Sequence, residues 1–579
     1  MSVRNTRMLV ALTCIALSAI AVVPFFFMGR STEGDLGLTL RMPTTHDMFL
    51  HYEQMKSFYN GLAAGEVYPR WEEDTNRGFG AATTIYYPPA VYYLISAFYA
   101  ITRDWLRALL DAHLVMMIAS AAAMYLYARE VMGRRAALVA MAAYIFLPYH
   151  MADQYERGAL AELLSFIWMP LLLLFGERVM EQDSGRRFTG KLACAAGLAL
   201  CYGGFLWSHP PTAYQFTLGF GIYAVVRAVM MRQWKGLIWI GAGMTLGMAL
   251  AAAYLMPAFV EQDFIHREFI AEVWPYHKTY IFVHDLYGTD VHRGFFHSLD
   301  AMWIFGTLSI IASAVLVRLK LSASILGGEL RRRATLWIVL GSFASFMMLK
   351  VSKPLGLLIP KLDIGVFTWR MLSITTLVMA LLAGACAQTA INASKNNLRR
   401  ERLVFGSLAL VVLIGGVLFS AGTAAKQISA PVFLPEPEHL NYATLPITAP
   451  SDPDELPENV PQAELSGEGG TVTVERWDPE HRRIHVQLEA EDQLLIRTFN
   501  FPGWTATVDG QRVEIVTDEE IGDIGIDLRA GDHEVRLDFL ETPVRRFGRI
   551  ITGCSFGLVL LLLCAPLSKR AIRPGPIPL

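Results

Sequence analysis

Apolar stretches of about 17 to 25 residues, each able to cross a roughly 30 Å hydrocarbon layer, recur along most of the chain. Between them, Lys and Arg gather in clusters: Arg4/Arg7, Arg129/Arg134/Arg135, Arg186/Arg187/Lys191, Arg227/Arg232/Lys235, Arg318/Lys320 with Arg331 to Arg333, Lys395/Arg399/Arg400/Arg402 and Lys569/Arg570/Arg573. The positive-inside rule places such clusters in the cytoplasm, so an even number of spans must separate neighbouring clusters. That condition predicts spans near 8–28, 107–127, 136–152, 160–178, 191–208, 212–230, 238–258, 301–318, 334–350, 371–391, 404–422 and 548–566, about twelve in all, with both termini inside. One apolar piece, IYYPPAVYYLISAFYAI (85–101), does not enter this count. As a span it would carry Arg129 to Arg135 outside, and its tyrosine-rich start suits a helix lying at headgroup level.

The periodicity changes in the long outer segment 423–547. A Pro/Glu/Asp-rich stretch reads as an extended linker. Alternating apolar and polar positions then predict strands at TVTVERW, RIHVQLEA, QLLIRTF, TATVDGQRVEIV, IGIDLRA and HEVRLDFL. Asp509-Gly510 between two such runs is a hairpin signal. The expected architecture is a polytopic α-helical membrane protein with an extracytoplasmic all-β, sandwich-like domain before its last helix. Its expected parts are a first span (1–28), an outer loop with juxtamembrane helices (29–106), a helical core (107–422), a linker (423–470), the β domain (471–547), and a last span with a cytoplasmic tail (548–579).

Composition agrees with a membrane class. The 579 residues are 53% hydrophobic and 18% charged, against about 25% charged for a soluble domain, and the mean hydropathy is +0.36. A net charge of −2 gives no reason to expect a nucleic-acid partner. The cysteines at 14, 194, 201, 386, 554 and 564 all lie in apolar runs without metal-type spacing, so no disulfide is expected. The first apolar run is long and ends without an A-x-A site, which favours a retained span over a signal peptide. No solenoid-type repeat is present.

Polar chemistry gathers at the outer turns. In RMPTTHDMFLHYEQMKSF (41–58), a helix would put Asp47, His51 and Gln54 on one face and Met48, Tyr52, Met55 and Tyr59 on another. Asp47 is then either a reacting carboxylate at the mouth of a cavity or the cap of that helix, because Thr44 to Asp47 fits a capping box. GEVYPRWEEDTNRGFG (65–80) follows, with Tyr68, Arg70, Trp71 and Asn76, and then Tyr87 in YYPP. At 149–166 Asp153, Glu156 and Arg157 lie at a turn, and Glu162 falls inside the apolar run. A carboxylate at membrane depth faces a cavity or a partner; Arg157 is the natural partner, and the pair is either a site or a structural clamp. His209 in LWSHPPTAY can meet a phosphate, a metal or a carbonyl. Lys350, Lys353, Lys361 and the pair Trp369-Arg370 run against the charge bias, either snorkelling or binding an anion. The His-rich loop 259–300 matches no metal motif.

In order, the HD pair, YPRW, N-x-G-x-G, YYPP, PYHMADQYERGALAE, AAAYLMPAFVEQDF, VFTWRML and FPGWTATVDG…AGDHEVRLDFLETPVRRFGRIIT resemble the bacterial GT-C superfamily of membrane glycosyltransferases. More specifically they resemble its branch described as 6-pyruvoyl-tetrahydropterin synthase-related and YfhO-like membrane proteins. The pterin name brings no chemistry with it, since that soluble fold's zinc-binding histidine pattern is absent here. The resemblance covers nearly the whole chain. It implies a polyprenyl-phosphate-linked sugar donor, a glycan, lipid or protein acceptor reached from the outer side, and a place in the bacterial cytoplasmic (inner) membrane among its lipids. By position it implies Asp47 as the base on the acceptor hydroxyl, His46 as a neighbour that tunes or orients it, and Asp153 or Glu156 as a second carboxylate. Tyr68, Arg70, Trp71, Asn76, Tyr87, Asp153, Arg157, Glu162, His209, Lys353, Trp369 and Arg370 are then candidates for substrate binding. The loop lacks a D-x-D or D-E pair, so a divalent cation (Mg or Mn, on Asp47, Asp153 or His209) stays open, as does the oligomeric state. A lipid or polysaccharide transporter and a non-catalytic envelope protein of the same fold are the alternative classes.

Overall fold

The structure is a computed structural model and describes residues 3–26, 45–181, 188–267, 278–283, 293–318, 327–359, 367–393, 414 and 444–571. Its helices are α1 (Val3–Val22), α2 (Met48–Ala64), α3 (Ala90–Thr102), α4 (Trp105–Met132), α5 (Arg134–Phe146), α6 (Pro148–Ala152), α7 (Leu160–Ser165), α8 (Trp168–Met180), α9 (Phe188–Ser208), α10 (Pro210–Met231), α11 (Trp234–Leu250), α12 (Ala252–Val260), α13 (Arg293–Arg318), α14 (Gly328–Met347), α15 (Leu372–Ala393) and α16 (Pro543–Ala571). Among the described residues, eight segments are long and apolar enough to cross a membrane, one of them formed by α7 and α8 together. Two further pairs do so as bent spans: α5 with Pro148–Arg157, at 42°, and α11 with α12, at 74°. The expected span at 334–350 falls on α14, and the one at 404–422, residue 414 apart, lies outside the described residues.

The excluded piece 85–101 breaks at the YYPP turn, and from Ala90 it forms α3, a helix of 13 residues. At 1.5 Å per residue it reaches about 20 Å, too short for a hydrocarbon layer of roughly 30 Å. It ends where Asp104 caps α4, its carboxylate accepting from the Arg107 N–H at 3.0 Å. Tyr99 stacks on Trp105 at 3.7 Å across the same turn. Arg129, Arg134 and Arg135, then Arg227, Arg232 and Lys235, then Arg331 to Arg333 lie at or near helix ends.

A largely buried ion-pair network ties α8, α10 and α14 together. Arg227 Nη2 lies 2.8 Å from both Glu177 Oε2 and Glu329 Oε1, and Arg333 Nη2 lies 3.4 Å from Glu177 Oε2. Tyr223 donates to Glu177, and the Trp337 indole donates to Tyr127 Oη at 3.0 Å.

The β unit has nine strands: β1 (Ala463–Leu465), β2 (Gly470–Asp478), β3 (His481–Leu488), β4 (Asp492–Phe499), β5 (Trp504–Val508), β6 (Gln511–Val513), β7 (Val516–Thr517), β8 (Asp523–Leu528) and β9 (Gly531–Phe539). They form two sheets, ordered β1-β4-β8-β7 and β2-β3-β9-β5-β6, with all pairings antiparallel. Val508 pairs with Gln511 across Asp509-Gly510, whose φ values of 53° and 79° make the expected tight hairpin. Ile484, Val486, Ile496, Ile524, Ile526, Val535 and Leu537 fill the space between the sheets.

That core is completed from far away in sequence. Trp71, Phe79, Ala82 and Ile85, in the stretch before α3, belong to the same buried cluster as the strand residues. Phe79 stacks on Phe499 at 5.3 Å, and its carbonyl accepts from the Phe499 N–H at 2.9 Å. A Cβ at Gly80, where φ is +88°, would stand 2.4 Å from Trp71 Nε1, so the turn closes on the indole only without a side chain.

Candidate functional site

The site begins with a break in the third span. Pro148 cannot donate to the helix before it, so α5 stops at Phe146 and α6 restarts at an angle. The chain then widens into a π turn, Asp153–Arg157, closed where the Gly158 N–H reaches the Asp153 carbonyl. Such widened turns recur at functional sites because they re-aim side chains out of the helical ladder. Here the turn brings Arg157 between two carboxylates buried to zero exposure. Its Nη1 lies 2.7 Å from Asp153 Oδ1 and 2.5 Å from Glu162 Oε2. Tyr149 donates to Glu162 Oε1 at 2.8 Å and accepts from Arg157 Nη1 at 3.3 Å. Arg370 Nε approaches Glu162 Oε2 to 3.3 Å, and the Arg370 guanidinium lies over the Phe367 ring at 4.6 Å.

Asp47 joins this cluster from the other side. The His46 N–H donates to the Glu156 carbonyl at 3.2 Å, and the Asp47 N–H to the Arg157 carbonyl at 2.9 Å. Of the two readings of Asp47, the cap does not hold. Asp47 occupies the N-cap position of α2, yet its side chain makes no capping hydrogen bond. The carboxylate instead faces Arg157, with Oδ2 at 3.9 Å from Nη2, and stays 37% exposed. It is the open member of a group whose other carboxylates are sealed.

The face predicted for α2 exists, but it is buried against protein. His51 and Gln54 are both buried, and so are Met48 and Met55 of the second face. His51 Nδ1 is 2.9 Å from Tyr92 Oη, and Tyr92 donates to Gln54 Oε1. Burial, opposed by Asp47 and reinforced by Arg157, pushes the His51 imidazole down to about 4. It is neutral at physiological pH. Tyr87 packs edge-on against His51 at 5.8 Å, and burial, with the Asp47 charge, holds its hydroxyl far above the usual tyrosine range.

His209 sits beside the same groups with a structural duty. It caps α10, its Nδ1 accepting from Thr212, and burial with the Arg370 and Arg157 charges keeps it well below its ordinary value. His46 lies edge-on to Phe295 at 4.8 Å. Trp369 stacks on Phe367 at 4.4 Å and is buried beside Phe295 and Phe296. Asp47, Tyr87, Asp153, Arg157, Glu162, His209 and Arg370 therefore converge, and His46, Glu156 and Trp369 frame them.

The other candidates serve elsewhere. Tyr68 donates to the Thr84 carbonyl at 2.7 Å and packs against Trp207 at 5.6 Å. Arg70 reaches Glu541 at 3.1 Å, and its N–H donates to Glu480 Oε1 at 2.5 Å. Trp71 is 1% exposed among Trp504, Phe501 and Phe539, and Asn76 donates to the Gly80 carbonyl at 3.1 Å. The contacts of Arg70 and Trp71 fasten the loop to the β unit, and those of Tyr68 and Asn76 brace the loop itself and its seat on α9. Lys353 is exposed on a short helix, and no hydrogen bond or ion pair among the described residues joins it to the cluster; Lys361 lies outside the described residues.

Sequence reasoning passed over Tyr149, Gly158 and Thr45. Tyr149 and Gly158 lie within PYHMADQYERGALAE, but nothing local marks which of its residues turn inward. A divalent cation does not suit the donor set, because two guanidinium groups stand among the three carboxylates. Among the described residues no group of three or more His, Cys, Asp or Glu is arranged to hold a metal.

Comparison with known proteins adds a family and a few distant resemblances. A family model described as "6-pyruvoyl-tetrahydropterin synthase related domain; membrane protein" matches residues 84–424. No curated protein matches the sequence. The oligosaccharyltransferase of Archaeoglobus fulgidus in its apo form is 13% identical, with a TM-score of 0.45, over 73% of this chain and 56% of that one. The match therefore spans little more than half of that enzyme. Oligosaccharyltransferase AglB from the same organism, solved with an inhibitory peptide and a dolichol-phosphate, is 14% identical, with a TM-score of 0.44, over 73% and 56%. ArnT from Cupriavidus metallidurans, bound to undecaprenyl phosphate, is 12% identical, with a TM-score of 0.45, over 74% of this chain and 78% of that one.

Proposed function

The chain belongs to the family of membrane proteins described as 6-pyruvoyl-tetrahydropterin synthase related, and on that premise we propose that it is a membrane glycosyltransferase of the GT-C type. It moves a sugar from a polyprenyl-phosphate-linked donor to a glycan, lipid or protein acceptor on the extracytoplasmic side of the bacterial cytoplasmic membrane. The observation that carries this reading is the Asp47 carboxylate: unused as a cap, open to a substrate, and seated by backbone bonds beside Arg157.

Asp47 takes the proton of the acceptor hydroxyl as its oxygen attacks the anomeric carbon. The bond from that carbon to the phosphate oxygen breaks, and the polyprenyl phosphate leaves with the electron pair. A positioned base contributes about 10²–10⁴-fold to such a step. The leaving phosphate needs charge stabilisation rather than a proton. Arg370 is assigned that task, with Arg157 behind it, because Arg157 already serves two buried carboxylates. No step requires a metal. Asp153 and Glu162 hold Arg157 and, through it, the electrostatic setting of Asp47.

The bent spans support a second reading, a transporter of lipid-linked sugars, since transporters place substrate sites at broken helices. Purified protein given radiolabelled polyprenyl-phosphate sugars and membrane acceptors separates the two. Transfer by the native protein, falling at least a hundredfold in Asp47→Asn, is expected. Equal transfer by both would remove Asp47 from the mechanism. Failure to transfer from any donor, with labelled lipid crossing reconstituted vesicles, would establish transport instead.

A further inference from the structure

The turn that supplies Arg157 also supplies the seat of Asp47, and one residue of it has no side chain. Thr45, His46 and Asp47 lie along 156–158, held by the two backbone bonds from His46 and Asp47. Gly158 ends the π turn at φ 63°, in the left-handed region. A Cβ built there would stand 2.0 Å from Thr45 Oγ1 and 2.9 Å from Thr45 Cβ. Both distances are below any tolerable contact, and the near atoms are those of a short β-branched side chain that cannot swing far. Thr45 Oγ1 is buried and makes no hydrogen bond, so contact with the glycine, rather than a polar bond, sets its place. Asp47 is two residues further on and has no capping bond to hold it independently.

We propose that Gly158 is a positioning residue for Asp47: the absence of a side chain at 158 lets Thr45 close on the π turn and so fixes the Asp47 carboxylate against Arg157. This rests on reading Asp47 as the reacting carboxylate. A base must come within about 2.6–3.2 Å of the proton it takes, and a displacement of about 1 Å can cost on the order of 10²-fold. The effect should fall on kcat, because Arg370, the first group assigned to the donor phosphate, stands on a separate segment, Thr368–Met371.

The test uses the full-length protein in two arms. In transfer assays, Gly158→Ala should lower kcat at least tenfold with donor KM within about twofold. Adding Thr45→Gly, which empties the space the new methyl needs, should recover part of the loss, the backbone strain of a side chain at φ 63° remaining. The second arm needs no activity. In Asp47→Cys, the rate at which a charged thiosulfonate reagent modifies residue 47, read on its peptide by mass spectrometry, should change several-fold with Gly158→Ala and return with Thr45→Gly. Should Gly158→Ala not fold, Thr45→Leu crowds the same contact from the other side and leaves the backbone at 158 alone; it should lower kcat and shift the labelling rate of residue 47 as Gly158→Ala does, and here an unchanged labelling rate or an unchanged kcat is the overturning result. An unchanged labelling rate, or a kcat loss that Thr45→Gly does not recover, overturns the proposal. Labelling that shifts and recovers while no variant, the native protein included, transfers sugar upholds the positioning role and sinks the glycosyltransferase reading.

Discussion

Arg157 has three carboxylates around one guanidinium, two of them without solvent contact, and the consequence of losing it follows from that count. A buried ion pair earns little net stability, but a charge left without its partner is costly, by about 3–5 kcal/mol. Arg157→Met should therefore destabilise the protein by about that amount, measured as a fall in detergent unfolding temperature, and Arg157→Lys by less. Asp153→Asn combined with Arg157→Met should recover part of the loss, since one orphaned charge is then absent. At this scale the sequence was partly legible. The Glu162–Arg157 pairing follows from a carboxylate inside an apolar run with a cation nearby. The bare Asp47 carboxylate does not: its local pattern favours a cap, and only the docking of residues 46–47 on a turn more than a hundred residues away removes it from that duty.

Among elements, the reading succeeded where periodicity was long. Apolar runs and alternating strands mark themselves, and the six expected strand stretches lie on β2, β3, β4, β5 with β6, β8 and β9. β1 and β7, of three and two residues, are too short to carry a period. Their pairing is set by the sheet they join. The strongest inference at this scale came from charge, which kept 85–101 from becoming a span. It has a direct check. Single cysteines at Val67, 85% exposed, and at Arg134, at the start of α5, should be labelled by an impermeant reagent from opposite faces of sealed vesicles. Labelling of both from one face would contradict the helix order.

Across the whole molecule, the joint between the first loop and the β unit raises several acids well above the usual carboxylate range. Burial first raises Glu480 to about 7, with Arg70 opposing and Glu66 adding to the shift. Burial likewise raises Glu72 and Glu73 to about 7. His481, between Asp538 at 2.6 Å and Glu66 at 3.0 Å, is also raised, its carboxylate neighbours outweighing burial. A carboxyl group raised in the folded state contributes fully below its ordinary value near 4.5, and that contribution is lost as pH climbs through about 7. The joint should therefore weaken between pH 5 and 8. Glu480→Gln should gain on the native protein across that range, by about 1–3 kcal/mol at pH 8, and a flat difference in unfolding temperature would refute it. None of this was visible in the chain alone, where Arg70 and Trp71 looked like sugar contacts. Their partners, Glu480 and Trp504, are more than four hundred residues away.

That separation also has a meaning in time. Arg70 and Glu480 are 410 residues apart, and at synthesis rates of 5–20 residues per second the first waits about 20–80 s for the second. Through that interval Trp71 and Phe79 have been made and the sandwich they complete has not. The growing chain thus carries an unfinished half-core at its leading end, and the cell's membrane-insertion machinery must keep it from sticking to something else until the last strands arrive.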